Sequence, residues 1–214
     1  MNLPVIIIGG GGHAKVLAST LLLQGRSVLG FVDPKPFVSL LGIARLGDDG
    51  AVFSHSQEQV RLVNGVGSVR STVARRSTYE KFREQQYVFE SVIHPSAVVA
   101  PEVEIEDGVQ IMAGVVIQPG SFFGVNAIIN TGARVDHDCS IQPHAHLAPG
   151  VTLSGNVHVG EGAHIGTGAS IVQGIKIGDG SIVGAGAVVI QDVPAGVTVV
   201  GVPAKPVARP VAAR

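Results

Sequence analysis

From residue 93 to residue 189 the chain repeats a six-residue pattern of apolar and polar positions. An apolar side chain returns at Ile93, Val99, Ile105, Ile111 and every sixth position up to Val183 and Val189. These seventeen positions show no slip, and all are aliphatic except Phe123. Four residues after each comes a second series, running from Ala97 and Val103 through Ala133, Cys139 and Ala145 to Ala187 and Val193. It is small or β-branched throughout. A helix repeats every 3.6 residues and a strand alternates every two, so a period of six held this long marks a solenoid, a parallel β-helix of hexapeptide repeats. Each hexad supplies a short strand and a turn, and three hexads close one triangular coil. The large aliphatic side chain fills the prism, and the small one turns inward near the corner. Seventeen hexads give between five and six coils, a column about 25–30 Å long at roughly 4.8 Å per coil. Glycine is frequent at the fourth place of the hexad, as at Gly108, Gly120 and Gly132, where a tight corner calls for positive φ.

The first ninety residues follow another rhythm. PVIIIGG reads as a buried strand running into Gly9, Gly10, Gly11 and Gly12, and His13 to Gln24 as a helix closed by Gly25. RSVLGFV, residues 26–32, reads as a second strand ended by Asp33 and Pro34. Residues 58–66 carry a third β-like stretch, and Thr78 to Gln86 a charged helix. Alternating strands and helices predict a small parallel α/β subdomain. Its glycine turn lies at the carboxyl end of the first strand, where a helix N-terminus can meet phosphate. Gly9 to Ala14 satisfy G-x-G-x-x-A, and Asp33 lies about 20 residues on, as in a nicotinamide dinucleotide fold. Ninety residues accommodate only half of that double unit, so half a site holding one nucleotide diphosphate is the better reading. A glycine turn with only a packing role is the other. The expected organisation is 1–90 as the α/β subdomain, 91–198 as the column and 199–214 as a C-terminal tail.

Composition narrows the functional classes. Of 214 residues 29 are glycine, aromatics are 4% and charged residues 14%, which suits a core of small and β-branched side chains. A net charge of −1 without a basic block argues against a nucleic-acid or anionic-membrane partner. The start lacks a basic segment ahead of its short apolar run, and no stretch approaches the ~18 apolar residues of a membrane span. Cys139 is the only cysteine, which rules out an internal disulfide and fits a reducing cytoplasm.

The densest polar chemistry in the column is VDHDC, residues 135–139. The register turns Cys139 into the core, whereas a nucleophilic thiol needs exposure and a lowered pKa. His137 falls two residues after inward Val135, at a corner, where it can face solvent or a neighbouring column. His144, His146, His158 and His164 also fall in the column. His146 and His164 are eighteen residues apart and should stack one coil above the other, which opens a zinc reading. Otherwise His158 and His164 read as solvated turn residues.

GGGGHAK at the start, IHPSA at 93–97, INTGARVDHDC at 129–139 and VGVPAK at 200–205 together resemble a known family. It is the hexapeptide sugar acetyltransferases with an N-terminal nucleotide-sugar-binding subdomain. Members include N-acetyltransferases of nucleotide-linked 4-amino-4,6-dideoxy sugars, such as the bacillosamine-pathway and GDP-perosamine enzymes. Sialic acid O-acetyltransferases are relatives. The resemblance implies an α/β, half-Rossmann-like subdomain followed by a left-handed parallel β-helix. It implies His137 as general base and Asp138 as the acid that raises its basicity, with Asp136 the less favoured partner. Acetyl-CoA contacts would fall at His146, the Gly155 backbone N–H, Thr167 and Ala185, the last two through backbone because their side chains differ from relatives. Gly11, Gly12, His13, Asp33 and Gly67 would hold the nucleotide sugar, with Ser68 and Arg70 as further counterparts. Lys205 or Arg209 would approach the CoA phosphates. The family also implies acetyl-CoA as co-substrate, no metal, and a homotrimer with CoA between adjacent columns.

The expected activity is acetyl-CoA-dependent N-acetylation of the 4-amino group of a UDP-4-amino-4,6-dideoxy or GDP-perosamine type sugar, in surface polysaccharide biosynthesis. Transfer would be direct, without an acyl-enzyme. Two alternatives stay open. O-acetylation of a sugar such as sialic acid would need the same base. A non-catalytic nucleotide-sugar-binding scaffold would have no need of His137 and Asp138 together.

Overall fold

The computed structural model describes residues 3–36, 39–68 and 71–207, so the roles expected of Arg70 and Arg209 fall outside the described residues. The N-terminal part contains β1 (Val5–Ile8), α1 (Gly12–Leu23), β2 (Val28–Val32), β3 (Arg45–Gly47), β4 (Arg61–Asn64) and α2 (Val73–Glu84). The strands form one parallel sheet in the order β3-β2-β1-β4. β1 is buried along its whole length, as its unbroken apolar run requires of a central parallel strand. Two features depart from the sequence reading. α2 starts at Val73, five residues before Thr78, and β3 lies between the second and third predicted strands, where the sequence reading names no element.

The column matches the six-residue register. Seventeen two-residue strands run from Val92–Ile93 to Val188–Val189, and the predicted inward aliphatic takes the second place of each. Up to Ser170–Ile171 each strand pairs in parallel with the one eighteen residues on, as Arg134 with Thr152 and Val135 with Leu153. Stacking makes three faces, and both apolar series merge into one continuous core that includes Cys139. At the corners from Gly108 to Gly186 the fourth residue of the hexad takes positive φ. It is glycine at ten corners, and Asn126, Asp138, His144 and Asn156 adopt the same backbone. Past the last hexad, Thr198–Val200 joins one face and Lys205–Val207 folds back antiparallel upon it.

One face differs from the other two. Along Gln110–Ile111, Ile128–Ile129, His146–Leu147 and His164–Ile165 both the inward and the outward residue of the strand are buried. The α/β subdomain covers this face, and its core of Val5, Ile7, Leu17 and Leu21 runs into Val92, Met112 and Ile128 of the column. This corrects the reading of His164, which is a buried strand residue and not a solvated turn. His158 is likewise in a strand, partly exposed on an uncovered face.

Candidate active site

Among the described residues two groups of chemistry-bearing side chains stand on opposite sides of the column. The first is a cleft of about 640 Å³ at the junction of subdomain and covered face. Its lining includes Gly11, Gly12, His13, Asp33, Gly67, Ser68, Asn130 and His146. β1 delivers the chain to Gly9, whose φ of +94° is open to glycine alone among common residues. α1 then begins without a side-chain cap and without an acid in its first turn. Its leading N–H groups have no intrahelical acceptor, which suits an anion. A Cβ on Gly11 or Gly12 would meet nothing within 4 Å, so both face open space. Asp33 braces the turn: Gly10 N–H donates to Oδ2 at 2.7 Å, and Lys35 N–H to Oδ1 at 2.8 Å.

The cleft floor is a set of uncharged side chains. His13 Nε2 meets Gln110 Oε1 at 2.7 Å, and His146 Nδ1 meets Ser68 Oγ at 2.7 Å. Asn130 Nδ2 approaches His146 Nε2 at 3.3 Å, which makes Nε2 the acceptor and Nδ1 the protonated nitrogen. Burial, with lesser terms from neighbouring positive charge, lowers the His13 pKa to about 4 and that of His146 to about 3. Both are neutral at physiological pH. His146 packs edge-on against His164, centroids 4.9 Å apart, in the stacked register the spacing predicted. Among the described residues no three His, Cys, Asp or Glu side chains converge to hold a metal.

The second group sits at the corner between strands Arg134–Val135 and Ser140–Ile141, the edge opposite the covered face. His137 and Asp138 are both exposed, and His137 Nδ1 lies 2.7 Å from Asp138 Oδ2. A carboxylate only accepts, so Nδ1 carries the proton and Nε2 is the basic atom. The Asp138 hydrogen bond, ahead of the charges of Asp136 and Asp138, raises the His137 pKa. Asp136 instead accepts from the His137 backbone N–H at 2.8 Å. The imidazole rests on Gly155, where an added Cβ would come within 2.5 Å of Cε1 and Nε2. The Gly155 N–H donates to no carbonyl among the described residues. Cys139 is buried beneath this corner, and desolvation raises its pKa, so the thiol stays protonated.

The predicted residues therefore separate into three places. Gly155 joins His137 and Asp138. His146 joins the glycine turn, His13, Asp33 and Gly67. Thr167 and Ala185 stack, through Gly186 N–H to Thr167 O at 2.8 Å, on the edge that also carries Thr131, the residue after cleft-lining Asn130. Gln110 and Gly65 were not foreseen. Gly65 lets α1 cross β4, for its Cβ would lie 2.7 Å from Ile8 O and 2.8 Å from Ala14 Cβ. Its only sequence signal was its place at the end of the third apolar run.

A hexapeptide column with an exposed histidine–carboxylate pair, joined to an α/β cleft shaped for a phosphate, defines a class: the nucleotide-sugar acyltransferases. Residues 4–82 match the family model for the PglD N-terminal domain, and residues 156–191 that for the bacterial transferase hexapeptide (six repeats). A histidine-to-asparagine mutant of perosamine N-acetyltransferase from Caulobacter crescentus, in complex with CoA and GDP-perosamine, is 43% identical. It superposes with a TM-score of 0.90 over 96% of this chain and 97% of that one. The acetyltransferase domain of PglB from Neisseria gonorrhoeae, in complex with acetyl coenzyme A, is 38% identical, with a TM-score of 0.91 over 97% and 100%. WeeI from Acinetobacter baumannii is 28% identical, with a TM-score of 0.86 over 96% and 100%. The comparison with curated proteins gives no match. The chain belongs to the family of hexapeptide-repeat sugar N-acetyltransferases with a PglD-type N-terminal domain and a left-handed β-helix.

Proposed function

We propose that this protein transfers the acetyl group of acetyl-CoA to the 4-amino group of a nucleotide-linked amino-dideoxy sugar, of the GDP-perosamine or UDP-4-amino-4,6-dideoxy type. The observation that carries this reading is the exposed His137–Asp138 pair, its ring lying on a glycine with an unengaged N–H. The neutral amine attacks the thioester carbonyl and forms the C–N bond, while Nε2 of His137 accepts the amine proton. Asp138 holds Nδ1–H and stabilises the imidazolium. The Gly155 N–H faces the developing oxyanion. The C–S bond then breaks, and the imidazolium returns its proton to the departing CoA thiolate. No acyl-enzyme forms, because the single thiol is buried and protonated.

Within one chain the column stands between His137 and the cleft, so the base meets a sugar held in the cleft of another copy. A homotrimer satisfies this for every copy. CoA would then lie in the groove between the Gly155 edge of one column and the Thr167–Ala185 edge of the next. Both substrates are soluble metabolites, which fits a cytoplasmic enzyme. The test is CoA release with a panel of amino-sugar nucleotides. Turnover with a 4-amino sugar is expected, and His137→Ala should lower kcat by ~10²–10⁴-fold. Near-normal turnover in that variant, or silence across the panel, contradicts the assignment.

A further inference from the structure

Arg75, the third residue of α2, is 1% exposed and lies directly behind the cleft wall. Its Nη1 donates to Asn64 O at 2.8 Å and to Val66 O at 2.9 Å, and its Nε to Asn126 O at 3.2 Å. Val66 lines the cleft itself. Nη2 is enclosed and has no hydrogen-bond partner among the described residues. No carboxylate pairs with Arg75 among the described residues. A buried guanidinium is ordinarily neutralised by an acid. Here three carbonyl dipoles stabilise the cation without cancelling its charge. Burial lowers its pKa to about 9, which leaves it protonated at neutral pH.

The cleft lacks what Arg75 possesses. Of the described lining residues the only charged one is Asp33, a carboxylate, and His13 and His146 are neutral. A diphosphate entering there meets helix N–H groups and, among the described lining residues, no cation.

We infer that Arg75 is a positioning residue for the nucleotide diphosphate, its uncancelled charge acting through the Val66 wall to supply a cation that the described lining residues do not provide. The inference rests on the nucleotide-sugar reading of the cleft. A clamp on three carbonyls needs only donors. A full buried charge and the two unused N–H groups of Nη2 exceed that need, and an anionic ligand makes use of the charge.

The experiment is calorimetric binding of nucleoside, nucleoside monophosphate and nucleoside diphosphate, in the guanine and uracil series, to the full-length protein and to Arg75→Met and Arg75→Lys. Wild-type protein that binds no diphosphate of either series overturns the cleft reading and this inference with it. Where wild type binds, Arg75→Met should weaken the diphosphate by about tenfold or more, equivalent to about 1.4 kcal/mol. The nucleoside should change by less than about twofold on the same scale. Equal weakening of all three ligands would show that Arg75 only holds the wall, and overturns the inference. Should Arg75→Met fail to fold, Arg75→Lys decides, because it keeps the charge and loses the three-carbonyl clamp. A retained diphosphate-over-nucleoside preference supports the inference, and a lost one overturns it.

Discussion

Asp138 stands in a corner slot that the hexad usually gives to glycine, with φ of +57°. Asp tolerates this left-handed conformation better than most residues. The bend turns its carboxylate back to Nδ1 of His137, and an added Cβ on Gly120, one coil below, would lie 2.5 Å from Asp138 Oδ1. The acid that tunes the base is thus positioned by backbone geometry and by a glycine eighteen residues away. Only neutral imidazole accepts a proton, so kcat/KM should rise with pH along a limb set by His137. Asp138 holds that pKa above its ordinary value of about 6.5. Asp138→Asn removes the charge, so the limb should move down toward pH ~6.5 while the plateau falls. A pH–rate profile checks both, and an unmoved limb would remove Asp138 from its role. Much of this corner was legible in the sequence. The register turned Cys139 inward and put His137 at a turn, and the motif singled out Asp138. The tautomer was not, because it depends on a measured contact and not on spacing.

The column strands were readable because each is fixed by its own hexad: one inward aliphatic, one small residue, one permissive corner. β3 and the first turn of α2 were not. β3 is three residues long and owes its form to pairing with β2, a tertiary contact without local periodicity. His164 was misplaced for a related reason. An outward strand position is solvated unless another body covers it, and here Ser68 and Thr72 bring the subdomain onto that face through His146 and the Gly162 carbonyl. A tight crossing in the subdomain lies at Gly65, where α1 meets the end of β4. Gly65→Ala forces a methyl against the Ile8 carbonyl oxygen and Ala14, and should destabilise the fold by ~1–3 kcal/mol, the range for an overpacked site. A denaturant titration reads this directly. A change below the error of that titration would mean the crossing is looser than described.

At the scale of the molecule, the covered face buries imidazoles that would be charged in an unfolded chain. Burial pushes His13 to about 4 and His146 to about 3, and lowers His144 and His164 as well. Below pH ~6.5 the unfolded state takes up protons that the folded state refuses, so stability falls as pH drops and is fully present above that value. Melting temperature should be level near pH 8, decline below pH ~6.5, and decline less steeply in His146→Gln. A flat profile down to pH ~4 would contradict neutral burial of these rings. The larger claim is that no single copy holds a whole site, because His137 and the cleft lie on opposite sides of one prism. It is tested most directly by co-expressing His137→Ala, which lacks the base, with Gly67→Trp, which blocks the cleft, each inactive alone. In randomly mixed trimers about a quarter of the sites would join an intact base to an intact cleft, so acetyl transfer should return to about that fraction of wild type. Mixed oligomers as inactive as their parents would show that base and cleft serve the same chain, and would contradict the account.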